Sequence, residues 1–162
     1  MSQYYVNDGD YKKAIDLLIA GEKVNGDDDR LTMMKVAVFE AMGNSEEVEV
    51  ELVKLANKYP ESEAYSNAVA QYYLRDSRFD KAEQEVRQFS ANNPDSLEAK
   101  RRVISYLQQH QSFESAVAEA KLYIKEDSGR SDHYLSLARL YLFAGDNDCL
   151  LYTSPSPRDL WI

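Results

Sequence analysis

Apolar residues recur along this chain at helical spacing, and the same pattern returns several times. Between residues 62 and 94, SEAYSNAVAQYYLRDSRFDKAEQEVRQFSANNP, two runs with apolar positions three and four apart flank the polar turn Asp76-Ser77-Arg78. That spacing predicts two amphipathic helices, A and B. Pro94 closes the second, because proline lacks an amide donor and draws Asn93 away from helical geometry. A shift of 34 residues brings Gly9, Gly43, Ser77, Gln111 and Gly145 into one column. Ala14, Val48, Ala82 and Ala116 fall in a second, and Tyr5, Phe39, Tyr73, Leu107 and Tyr141 in a third. A period held without insertion is the mark of a helical solenoid, in which each unit buries its apolar face only against its neighbours. The predicted fold class is all-α, an α-solenoid of antiparallel helix pairs.

Residues Ala70, Tyr73, Phe79, Ala82, Phe89 and Pro94 of this unit, and Phe39, Gly43, Leu52 and Pro60 of the one before, resemble the tetratricopeptide repeat. The resemblance covers residues 1–148 and implies a right-handed superhelix, with units at about 1–28, 29–62, 63–96, 97–130 and an incomplete 131–148. The remaining residues, 149–162, break the phase where a helix B is due. Their opening string CLLYTSPSPRD resembles the translation of a sequencing-library adapter, so they are expected to be a non-native tail. The single cysteine (Cys149), the single tryptophan (Trp161), Pro155 and Pro157 lie there, so no redox, metal or proline-motif argument is built on them.

Local signals place the turns. By the repeat phase Met1 falls inside a helix A, which reads either as a half-repeat cap or as an internal methionine of a longer protein whose upstream targeting segment is lost. Asn25-Gly26 predicts a tight turn, and the aspartates after it suit the positive end of the next helix. Adjacent aspartates do not match the alternating ligands of a calcium loop, so no metal site is expected. In LTMMKVAVFEAMG, Met33, Met34, Val36, Ala37 and Phe39 predict a helix buried on more than one side. Asn44 and Glu47 form a capping box, and Glu46, Glu47, Glu49 and Glu51 predict a solvated acidic face. Asp95-Ser96-Leu97-Glu98 opens another helix. Ala70 and Ala82 mark a close helix crossing, and Phe79 is expected in the interface with the following unit. Gln111 in the glycine column implies either some strain or an ordinary backbone conformation, His110 suits the negative end of its helix, and Gly129 predicts a left-handed helix end.

Charge and composition narrow the function. With 28 acidic against 19 basic residues the formal net charge is −9, which argues against nucleic acid or an anionic membrane surface as partner. No apolar run reaches the roughly 18 residues of a membrane span. His110 and His133 have neither zinc-pair spacing nor a neighbouring nucleophile signature, and no glycine-rich phosphate loop occurs. No catalytic residue, metal or cofactor is therefore expected, and the chain reads as non-enzymatic and soluble, in the cytoplasm or the periplasm. The gap-free repeats and NNPDS-like closures have a bacterial style.

The resemblance implies that the A helices wall a concave groove that binds a partner peptide or helix. Carried onto this sequence, the groove positions are Asn67, Gln71 and Arg75, then Arg101, Ser105 and Gln108, then Arg139. Leu74, Gln109, Asp132 and Leu135 continue this wall, with Arg30, Met33 and Ala37 from the second unit. Arginine and amide side chains suit an extended peptide. The terminal-carboxylate clamp of chaperone-binding members is not reproduced, because Asp132 stands where a lysine is wanted. The expected function is a non-catalytic interaction scaffold; the alternative is the partner-positioning repeat portion of a larger enzyme or of a bacterial envelope or secretion assembly factor. Without its helix B, the last unit is expected to expose Tyr134, Leu137, Ala138 and Tyr141, which predicts self-association.

Overall fold

The computed structural model of the chain describes residues 10–26 and 28–144. Among the described residues there are eight α-helices and no strand: α1 (Tyr11–Asn25), α2 (Asp29–Met42), α3 (Ser45–Lys58), α4 (Glu63–Arg75), α5 (Phe79–Asn92), α6 (Leu97–His110), α7 (Phe113–Glu126) and α8 (Ser131–Ala144). The odd-numbered helices begin at residues 11, 45, 79 and 113, the even-numbered at 29, 63, 97 and 131, so each series advances by 34. The even-numbered are the A helices and the odd-numbered the B helices. The predicted incomplete first helix, and everything after Ala144 including the adapter-like string, lie outside the described residues.

Two compact units divide between Asn92 and Asn93. In the first, consecutive helices pack in chain order from α1 to α5; in the second, α7 packs on both α6 and α8. Helix starts are fixed by side-chain caps. Asp10, Asp28, Asn44, Ser96 and Ser112 accept the amides of Lys13, Arg30, Glu47, Ala99 and Ser115. Each cap stabilises its helix by about 1 kcal/mol.

The glycine column resolves residue by residue. Gly43 ends α2 in the left-handed region at φ 71°, where glycine has no Cβ penalty. Ser77 holds the same position at φ 56°, a conformation that costs a residue with a Cβ about 1 kcal/mol. Gln111 sits at φ −122°, so its turn needs no positive φ. Gly129 is not at positive φ, contrary to expectation: α7 already ends at Glu126, with Asp127 as its C-cap at φ −141°.

The core follows the small-residue column. Ala14, Val48, Ala82 and Ala116 are all buried, as are Ala70, Tyr73, Leu107 and Tyr141. Small residues at these positions let the helices of a pair approach closely. Burial around α2 differs from the sequence expectation. Val36 and Val38 are buried, but Ala37 and Met33 are exposed, and it is Thr32 and Lys35 that go inside. Lys35 tolerates burial because acids from two neighbouring helices meet its ammonium. Phe79, expected in an interface, is 49 % exposed at the first position of α5. In α8, Leu137 and Tyr141 are buried rather than exposed, because that face packs on α7, where Tyr141 meets the Phe113 ring edge-on at 5.8 Å. The exposed apolar residues of α8 are Tyr134, Leu135, Leu142 and Phe143. No helix among the described residues is long and apolar enough to cross a membrane.

Candidate partner-binding faces

In the first unit, α4 carries Asn67, Gln71 and Arg75 at steps of four, which puts them on one face. All three are exposed, as are Arg30, Met33 and Ala37 on α2. The basic member of this set is already answered: Arg75 Nη2 donates to Glu40 Oε1 of α2 at 2.6 Å. The recess around that pair is lined by Glu40, Ser45, Val48, Tyr72, Arg75 and Asp76, two acids to one base.

A charged network ties α4 and α5 to α3 in this unit. Glu49 accepts from Arg78 Nη1 at 2.6 Å, Lys81 Nζ at 2.9 Å and Tyr73 Oη at 3.1 Å. The Arg78 guanidinium also lies 4.8 Å from the centre of the Tyr73 ring. The Arg78 bond, opposed by burial and aided by Lys81 and Tyr73, holds the Glu49 carboxyl down at about 2. Burial first, and then Glu49, push the Tyr73 hydroxyl up to about 12. The acidic face expected on α3 is therefore only partly solvated. Glu46 and Glu47 are exposed, while Glu49 and Glu51 turn inward to cations that sequence spacing alone does not reveal.

In the second unit, α6 and α8 enclose a recess of ≈ 150 Å³. Helix α6 contributes Arg101, Ile104, Ser105 and Gln108, which follow one another around a single helical face. From α8 come Ser136, Arg139, Leu140 and Phe143. Four of the residues selected from sequence, Arg101, Ser105, Gln108 and Arg139, are thus brought together. The apolar lining was not selected, although Ile104 lies three residues after Arg101 and Phe143 four after Arg139, spacings that place neighbours on one helix face.

The two arginines of this recess differ from Arg75. Among the described residues Arg101 has only long contacts, 3.8 Å to Glu98 and 3.7 Å to Asp132, and its Nε is buried without a partner. Arg139 makes no hydrogen bond or ion pair among the described residues. Next in sequence to Asp132, His133 is buried against Tyr123, ring centres 6.0 Å apart, with its Nε2 unpartnered among the described residues. Burial, then the Lys100 and Arg130 charges, lower the His133 pKa, with Asp127 and Asp132 acting the other way. Among the described residues no group of histidine, cysteine and carboxylate side chains is gathered to hold a metal ion.

Helix pairs advancing by 34 residues, with small residues buried at each B-helix crossing, make this a tetratricopeptide-like helical-repeat fold. Among solved structures the chain is similar to MamA from Desulfovibrio magneticus RS-1, at 13 % identity over 91 % of this chain and 84 % of that one, TM-score 0.48. It is also similar to a tetratricopeptide repeat protein from Parabacteroides merdae, at 14 % identity over 93 % and 59 %, TM-score 0.48. A third likeness is to a chain of the Naa15/Naa10 assembly bound to HypK-THB, at 18 % identity over 98 % and 25 %, TM-score 0.49. No protein-family model matches the sequence, and no curated protein does.

Proposed function

We propose that this chain is a protein-interaction scaffold with no chemistry of its own, whose A-helix faces bind a peptide or helix of a partner protein. The observation that carries this reading is the recess of the second unit, where Arg101, Ser105 and Gln108 of α6 stand with Arg139 of α8 beside exposed Phe143. Hydrogen-bonding side chains next to an uncovered aromatic ring are the makings of an anchor pocket with a polar rim. In the first unit, Asn67 and Gln71 offer amide donors and acceptors on an equally exposed A-helix face.

The test uses binders selected on the full chain from displayed libraries of random peptides and helical hairpins. Arg101→Glu with Arg139→Glu is expected to cut capture about tenfold, with circular dichroism at the binding temperature confirming that the helices remain folded. Capture unaffected by this pair and by Asn67→Ala with Gln71→Ala removes the A-helix faces as the binding surface.

A further inference from the structure

We infer that the recess between α6 and α8 takes an acidic segment of a partner protein, with an internal Asp or Glu side chain meeting Arg101 and Arg139 and an adjacent bulky residue resting on Ile104, Leu140 and Phe143. This inference rests on the scaffold reading above and names the chemistry of the occupant.

Charge selects it. The chain carries a net charge of −9, yet among the described residues no acid lines this recess, and two guanidinium groups do. The contrast with the first unit is internal to the molecule: Arg75 is closed off by Glu40 at 2.6 Å, whereas Arg139 has no partner among the described residues. Asp132 lies 3.7 Å from Arg101, beyond hydrogen-bonding distance, so an incoming carboxylate that reaches about 2.8 Å replaces a loose contact with a bidentate one.

Size and polarity define the rest of the occupant. At ≈ 150 Å³ the recess is smaller than the roughly 300–1,000 Å³ of small-molecule sites and suits one anchoring side chain. Phe143 is 80 % exposed, so an apolar neighbour of the acid gains by covering it. Ser105 and Gln108 can each donate and accept. They can pair with the N–H and C=O of a backbone that runs through the site, which suits a carboxylate carried on a side chain within a segment. Polyanionic nucleic acid is disfavoured by the same net charge.

The experiment measures retention of the full-length chain on four pools of bead-bound peptides, acetylated and amidated so that no terminal charge remains. Each pool has randomised flanks around a fixed centre, Glu-Leu, Gln-Leu, Lys-Leu or Glu-Gln. The Glu-Leu pool is expected to retain the chain about tenfold better than the Gln-Leu and Lys-Leu pools, with Glu-Gln in between and the preference shrinking in high salt. Arg101→Glu with Arg139→Glu should invert the order in favour of Lys-Leu. Equal retention of the Glu-Leu, Gln-Leu and Lys-Leu pools, weakened in each by Phe143→Ala, overturns the acidic anchor but leaves the groove. Retention on no pool, or retention indifferent to all of these substitutions, overturns the inference and the peptide-binding reading of this recess together.

Discussion

Lys35 Nζ lies 2.6 Å from Glu51 Oε1 in the interior of the first unit, and 2.8 Å from Glu22 Oε1 on its other side. One ammonium thus joins α1, α2 and α3. Burial works against its charge, and Glu22 and Glu51 more than offset that, so the Lys35 pKa is raised. Two carboxylates against one cation leave the group with a charge of −1, which makes the lysine the member whose loss is least tolerable. Lys35→Ala is expected to cost about 3–5 kcal/mol, because two nearly buried acids then face each other. Replacing all three by apolar residues, Glu22→Leu, Lys35→Met and Glu51→Leu, should be neutral or stabilising. Urea midpoints of the two variants check the pair of expectations, and a mild effect of Lys35→Ala would mean that the triad is open to water.

Ala82 has no exposed surface, and its helix α5 packs on α4. Ala82→Leu should cost about 1–3 kcal/mol by overpacking, read as a lowered denaturation midpoint at unchanged m-value. Ala116, equally buried at the matching position of α7, should respond in the same way. A midpoint unchanged in both variants would place these alanines outside the helix crossings.

Glu49 gives the first unit its response to acid. Its carboxyl ionises normally at 4.5 and in the folded chain at about 2, so the stability it contributes is complete above pH 4.5 and is lost as pH falls toward 2. Glu49→Gln should lower stability at neutral pH by about 1–2 kcal/mol and flatten the dependence in that window. Chemical denaturation between pH 2 and 7 measures both. A variant that keeps the wild-type slope would assign it to other carboxylates.

The repeat itself was legible because burial at a helix crossing constrains size, and size recurs in the 34-residue columns. So were the caps at Asn44 and Ser96, which depend on residues three apart. What the sequence could not supply were partners brought in from other helices. The inward turn of Glu49 depends on Arg78, 29 residues away, and the burial of Lys35 on Glu51, 16 away. The same limit applies to the recess of the second unit. Its polar members could be placed from one helix at a time, whereas the lack of a partner for Arg139 among the described residues and the exposure of Phe143 depend on how α8 lies against its neighbours.

His133 carries the last prediction, on the helix that supplies half of that recess. Its pKa is lowered below the usual 6.5, by burial first and then by Lys100 of α6 and Arg130 before α8, so the folded state binds fewer protons than the unfolded one. The sign follows: its contribution is fully present above pH 6.5 and is lost as pH falls through the lowered folded value. Protonation would place a third cation beside Lys100 and Arg130, with Asp127 and Asp132 too weak to cancel it. The denaturation midpoint should therefore fall between pH 7.5 and 5.5, well above the range in which Glu49 titrates. His133→Gln, which cannot take up the proton, is expected to remove that slope whatever it does to absolute stability. Protection factors of α8 amides, from hydrogen exchange corrected for the intrinsic rate at each pH, locate the effect; protection lost at low pH throughout the first unit, with α8 unchanged, would assign the slope elsewhere.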